Sequence, residues 1–154
     1  MSKRRTEHTT FAIERHYDFK PTLVFSAWAT AEAKSQWFSG TPGQWKLLER
    51  KLEFHVGGRE ILKGAWQGGP VSTFDGYYYD IVPNERIVYS YDMHQDGTKI
   101  SVSLATVEFK PASTGTLLKF TEQAVFLDDF EDAGGRERGT GLLLDQLGDA
   151  LGKY

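Results

Sequence analysis

Between Leu47 and Phe126 apolar residues recur with a period of two, interrupted at short intervals by residues that favour turns. Turn chemistry falls at Val56-Gly57-Gly58-Arg59, Phe74-Asp75-Gly76-Tyr77, Pro83-Asn84-Glu85-Arg86 and Asp96-Gly97-Thr98. Period two places alternate side chains on opposite faces of a strand, and short glycine- or asparagine-containing links favour hairpins. The pattern therefore predicts an antiparallel meander. Its strands are expected over Trp45 to Phe54, Arg59 to Trp66, Thr73 to Val82, Arg86 to Met93, Lys99 to Lys110 and Thr116 to Val125. Gln67 to Ser72, with two glycines and a proline, reads as a mobile loop on a rim.

The flanks follow other rules. Phe11, Ile13, Arg15, Tyr17 and Phe19 alternate with Ala12, Glu14, His16 and Asp18, which predicts a first strand behind a flexible tail of residues 1–10. Pro21 suits the first turn of a helix, and Leu23, Val24, Ala27 and Trp28 continue it at helical spacing. Thr30 is placed to cap a second short helix through Phe38, with Glu32 in its first turn. At the other end Leu143, Leu147 and Leu151, with Leu142 and Leu144 beside them, form a stripe at helical spacing. Five glycines between Gly134 and Gly148 oppose that helix by about 1 kcal/mol each when interior, so its regular part is expected to start between Arg138 and Gly141. Asp128 to Arg136 would form an acidic lead-in.

Composition narrows the function classes. With 154 residues the chain is long enough for one domain with its own core, here residues 11–154. No apolar run approaches the ~20 residues of a membrane span, and the basic start lacks an apolar secretory segment, so no membrane insertion and a cytoplasmic setting are expected. The absence of cysteine removes disulfides and thiolate chemistry. A net charge of -3, with no basic run beyond Lys3-Arg4-Arg5, gives no electrostatic basis for nucleic-acid binding. The histidines are scattered without ligand spacing, and no phosphate-cradling or nucleophile-elbow motif occurs, so neither metal nor cofactor is expected.

One ordered set of short segments carries a family resemblance. Phe19-Lys20-Pro21, Val24-Phe25-Ser26-Ala27-Trp28, Gln36-Trp37-Phe38, Val56-Gly57-Gly58-Arg59, Gly76-Tyr77-Tyr78, Pro83 to Tyr89 and Leu144-Asp145-Gln146-Leu147 follow one another over residues 11–151. The chain in this respect resembles the SRPBCC (START-like) superfamily, and within it the family similar to the C-terminal domain of the activator of the heat-shock protein 90 ATPase. The resemblance implies an α+β helix-grip fold, shared with START lipid-binding domains and the birch pollen allergen. In that fold a curved antiparallel sheet wraps a long C-terminal helix, two short helices follow the first strand, and an apolar cavity is left between. Related sequences commonly carry Gly-Trp where this chain has Gly139-Thr140, a loss of an indole that would enlarge or reshape the cavity. The eukaryotic co-chaperone also has an N-terminal domain for which these residues leave no room, which argues against direct activation of the ATPase.

Strand parity and ring content supply the candidate site. Tyr89 and Tyr91 share a face with Ile87 and Met93, and Phe120 shares one with Leu118 and Glu122. Tyr78 is one of three consecutive tyrosines whose facing parity alone leaves open. Trp28, Trp37 and Trp66 bring rings near the helical unit and the hairpin, and Leu143 and Leu147 bring the last helix. Any one of these is an ordinary core residue. As a set in a cavity-forming fold they are expected to contact ligand. Arg59 is expected at the cavity mouth, where its planar fork would pair with an anion. Glu122, if inward, would be a buried carboxylate and a candidate acid or base.

Three readings follow. The first is a protein that binds a small hydrophobic or amphipathic molecule between sheet and helix. The second is a cyclase- or hydratase-like enzyme using Glu122 or a cavity tyrosine. The third is an interaction module, contacting a chaperone or a second copy of the chain through an exposed apolar patch, with no closed cavity.

Overall fold

A computed structural model describes residues 4–153. The elements run β1 (Thr6–Tyr17), α1 (Pro21–Ser26), α2 (Ala31–Ser35), β2 (Trp45–Leu52), β3 (Arg59–Trp66), β4 (Val71–Val82), β5 (Arg86–Gln95), β6 (Thr98–Pro111), β7 (Thr116–Leu127) and α3 (Ala133–Leu151). All seven strands form one antiparallel sheet in the order β1-β7-β6-β5-β4-β3-β2. The sheet curves about α3, the helix-grip arrangement that the sequence led us to expect.

The turns explain the meander. Asp96 and Gly97 both adopt positive φ, 49° and 83°, between the paired residues Gln95 and Thr98. That is the mirror-image turn whose twist matches a right-handed hairpin. Asp75-Gly76 is not a turn. It lies inside β4, paired with Asp92 and Tyr91, and a Cβ on Gly76 would come within 2.8 Å of the Phe74 ring. Gln67 to Pro70 is a tight turn in which Trp66 donates its N–H to Pro70 O at 3.1 Å, and β4 resumes at Val71. Thr30 caps α2 as expected, its hydroxyl oxygen accepting from Ala33 N at 3.1 Å.

Two boundaries are corrected. β1 begins at Thr6, five residues earlier than Phe11, so residues 6–10 are strand and not tail; residues 1–3 lie outside the described residues. The extension pairs Thr6 to Thr10 with Leu127 to Gln123, and Arg5 N adds a bond to Asp128 Oδ1 at 2.8 Å. α3 begins at Ala133, ahead of the Arg138 to Gly141 expected. Asp132 caps it, accepting from Gly135 N at 2.6 Å, and Arg136 in its first turns is held by buried partners.

The core lies between the concave sheet face and α3. Leu144, Leu147, Ala150 and Leu151 are buried there, while Leu142 is 65% exposed and Leu143 half-buried. The buried stripe is thus turned by one position from the leucine set expected. Tyr17 on β1 donates to Leu144 O at 2.7 Å, and Gln146 Nε2 donates to Trp37 O at 2.7 Å, fixing the helix to an edge strand of the sheet and to the segment that follows α2. Among the described residues no helix is long and apolar enough to cross a membrane.

Candidate functional site

Sheet curvature and α3 leave a cavity of about 380 Å³. Trp28, Trp37 and Phe38 come from the helical unit, Trp66 and Phe74 from β3 and β4, Tyr89, Tyr91 and Met93 from β5, Phe120 from β7 and Leu142 to Leu144 from α3. Trp45 completes the wall by lying flat between two glycines. A Cβ on Gly40 would come within 2.3 Å of its ring and one on Gly64 within 2.0 Å, so any side chain there would displace the indole. Thr140 also lines the wall. A second depression of about 770 Å³ between β1 and α3 is lined largely by charged side chains, among them Arg15 and Asp145, which pair at 2.9 Å.

Two buried cations stand at the cavity wall. Lys34 on α2 is 2% exposed and donates to Glu60 Oε1 and Oε2 at 2.8 and 3.0 Å. Tyr78 donates to the same carboxylate at 2.7 Å. The ammonium also lies 4.5 Å from the Phe38 ring centroid and 5.4 Å from that of Trp28, within cation–π range. Burial is the main cause holding the Lys34 pKa below the usual lysine value, and the Glu60 charge opposes that shift. Burial, followed by Glu60, raises the Tyr78 phenol far above its ordinary range.

The second cation is Arg136, in the first turns of α3. Its Nη1 donates to Tyr91 Oη at 2.9 Å and to Glu122 Oε2 at 3.2 Å, Nη2 to Ser101 Oγ at 2.8 Å, and Nε to Glu131 Oε2 at 2.5 Å. Tyr91 donates to Glu122 at 2.9 Å, and Ser103 donates to the same oxygen at 2.8 Å. Burial pushes the Glu122 pKa up, while Arg136, Ser103 and Tyr91 pull it back. Burial and the Glu122 charge likewise raise the Tyr91 phenol.

These positions sort the expected site residues. Trp28, Trp37, Trp66, Tyr89, Tyr91, Phe120 and Leu143 come together on the cavity wall. Tyr78 is inward and buried but stands behind the wall with Glu60, and Leu147 is packed in the core. Tyr77 and Tyr79 flank Tyr78 on the outer face, their ring centroids 4.8 Å apart. Arg59 is not at the cavity mouth: it is half-exposed and pairs with Asp75 Oδ1 at 2.6 Å, away from the lining. Glu122 is buried as parity required, yet it reaches the cavity only through Tyr91 and Arg136.

Lys34, Glu60 and Arg136 were not singled out by sequence. For Glu60 a signal existed, because it shares strand parity with Leu62 and Gly64, both inward. Among the described residues no group of three or more His, Asp or Glu side chains is arranged to hold a metal ion.

The family described as Activator of Hsp90 ATPase homolog 1-like protein matches residues 18–152. An uncharacterised protein from Rhizobium leguminosarum is 44% identical, with a TM-score of 0.92 over 98% of this chain and 99% of that one. A protein from Rhizobium loti is 40% identical, with a TM-score of 0.86 over 95% of this chain and 99% of that one. An AHSA1-like protein from Aeromonas hydrophila, 19% identical with a TM-score of 0.69 over 94% of this chain and 93% of that one, shares the fold. Among curated proteins there is no match.

Proposed function

We propose that this chain, which belongs to the Activator of Hsp90 ATPase homolog 1-like family, binds a small hydrophobic or amphipathic molecule between its sheet and α3. The observation that carries this reading is the cavity of about 380 Å³, whose wall includes nine aromatic rings together with Leu62, Met93 and Leu142 to Leu144. Such a volume falls in the range of small-molecule sites, and apolar walls with a few polar groups are their usual make-up. Affinity would come from removing apolar surface from water, at about 25 cal/mol per Å² before the costs of binding. The cysteine-free sequence supports a cytoplasmic setting.

Native mass spectrometry of gently purified protein, followed by denaturation and identification of any released compound, tests the proposal. A stoichiometric apolar adduct supports it. Failure of every apolar probe to bind the purified protein would sink it.

A cyclase- or hydratase-like enzyme is the second reading, favoured by Tyr91. This wall residue is hydrogen-bonded to both Glu122 and Arg136, so it could exchange a proton with a bound substrate while Glu122 takes up or supplies it from behind. Turnover that survives Tyr91→Phe would remove that reading. An interaction module was expected to have an apolar patch and no cavity. Tyr77 and Tyr79 on the outer face offer a patch for a chaperone or a second copy, but the cavity weighs toward small-molecule binding.

A further inference from the structure

Three tyrosines stand together on the inner face of the sheet, and one of them is unmatched. Tyr78 donates to Glu60 at 2.7 Å and Tyr91 donates to Glu122 at 2.9 Å. Tyr89 lies opposite Tyr78 across the β4–β5 ladder and two residues from Tyr91. Its hydroxyl has no hydrogen-bond partner among the described residues, although the side chain is only 7% exposed. Polar groups buried to that degree ordinarily find partners, because an unmade bond forfeits hydration without return.

The hydroxyl is unpaired but not sealed. The buried nitrogen atoms of Trp28, Arg50 and His94 that lack partners have no surface of their own, so nothing in the cavity can reach them. The Tyr89 oxygen is not one of these atoms and keeps surface of its own. Tyr89 points to the concave side of the sheet with Ile87 and Tyr91, and it lines the cavity beside Phe74 and Tyr91, at ring separations of 6.3 and 6.1 Å. That surface therefore opens into the cavity. Burial is the first cause that raises the Tyr89 pKa well above the ordinary phenol value, and Tyr91, Glu122 and Glu60 add to it. The group keeps its proton and stands as a neutral donor.

Charge restricts what can meet it. Lys34 is matched by both oxygens of Glu60, and Arg136 by Glu122 and Glu131. Glu131 itself lines the cavity. A ligand carboxylate would find no unpaired cation among the described residues of the wall and would meet negative charge where water is largely excluded.

Building on the binding reading above, we infer that the Tyr89 hydroxyl is the polar anchor of the cavity, and that the ligand is an uncharged, mainly apolar compound whose oxygen accepts a hydrogen bond from it. Ketones, esters and ethers belong to the class; free acids and plain hydrocarbons do not. An analogue without the oxygen displaces water from Tyr89 and returns nothing, so the oxygen sets preference among compounds of equal size.

Three matched probes test this: 2-acetylnaphthalene, 2-ethylnaphthalene and 2-naphthoate, titrated by calorimetry into the unaltered protein and into Tyr89→Phe, which removes the hydroxyl and keeps the ring. In the unaltered protein the ketone is expected to bind at least about fivefold tighter than the ethyl compound, the scale of one net hydrogen bond, and tighter than the acid. In Tyr89→Phe that preference should fall to about twofold or less, through loss of ketone affinity alone. The variant gives up no bond within the protein, so its urea midpoint should match or exceed the original, whereas Tyr78→Phe should lower it. Should Tyr89→Phe not fold, the 13Cζ signal of Tyr89 in the unaltered protein, assigned through bonds, decides the matter: it should move with the ketone and not with the ethyl compound. Equal binding of ketone and ethyl compound, a ketone preference that survives Tyr89→Phe, or tightest binding of the acid overturns the inference while leaving cavity binding intact. A midpoint for Tyr89→Phe as low as that of Tyr78→Phe overturns it too, since the hydroxyl would then have a partner within the protein. Failure of all three probes overturns it together with the binding reading.

Discussion

Replacing Glu60 by glutamine is expected to lower stability far more than a change of one atom suggests. The amide keeps shape and an acceptor for the Tyr78 hydroxyl, but it leaves the Lys34 ammonium buried without a counter-charge. At the observed 2.8 Å, Coulomb's law with an effective dielectric near 20 gives an attraction of about 6 kcal/mol. Part of this is retained, because the amide oxygen and the rings of Trp28 and Phe38 still face the cation. Removing one partner of a buried pair costs about 3–5 kcal/mol, and Glu60→Gln should fall in that range at about pH 7.

Lys34 limits the loss by shedding its proton. Its folded pKa already lies below the ordinary value of 10.5, so between the two the unfolded chain binds more protons and stability rises with pH. Loss of the Glu60 charge deepens that depression. The deficit of Glu60→Gln relative to the unaltered protein should therefore shrink between about pH 7 and about pH 9.5. The double variant Lys34→Met/Glu60→Gln, which removes both charges and puts a flexible thioether among the rings, should recover to within about 1.5 kcal/mol of the original stability. Urea unfolding followed by tryptophan fluorescence measures all three proteins. A deficit below about 1 kcal/mol at pH 7, or one that ignores pH, would refute the assignment of Lys34–Glu60 as a charged buried pair.

Other expectations are simpler. Met93→Trp grows a side chain into the cavity and should weaken 2-acetylnaphthalene binding at least about tenfold, measured by calorimetry, with the unfolding transition preserved; undiminished binding would argue against this wall. Gly139 is interior to α3, exposed, and has open space where a Cβ would be, so Gly139→Ala should add about 0.5–1 kcal/mol and raise the thermal midpoint by about 1–4 °C. A fall in midpoint would contradict that geometry. Arg59→Ala should leave probe affinity unchanged, because Arg59 pairs with Asp75 outside the cavity, and a clear loss of affinity would return it to the site.

Local signals carried most of the architecture. Turn residues fixed the hairpins, parity sent Tyr89, Tyr91, Phe120 and Glu122 inward, and Thr30 marked the start of α2. The first half of β1 was hidden because Thr6, Glu7, His8, Thr9 and Thr10 are all polar. Its only instruction to be strand is the backbone of β7, more than a hundred residues later. The start of α3 was hidden by glycine propensity, which the Asp132 cap and the partners of Arg136 override. Lys34 and Glu60 eluded single-residue reasoning for a related cause. Each alone reads as solvated, and only the fold sets them 2.8 Å apart.

The ladder between β1 and β7 bears on how the chain is made. Every other strand pairing joins neighbours in sequence and can close as soon as its second strand leaves the ribosome. β1 emerges first and must wait for residues 116–127 before it has a partner. The growing sheet therefore ends in an open edge, β6 until β7 is made and then β7 until β1 docks, which invites pairing with another chain. Such a late, long-range closure slows folding, and it marks β1 as the segment whose exchange between two molecules would build a swapped dimer at high concentration.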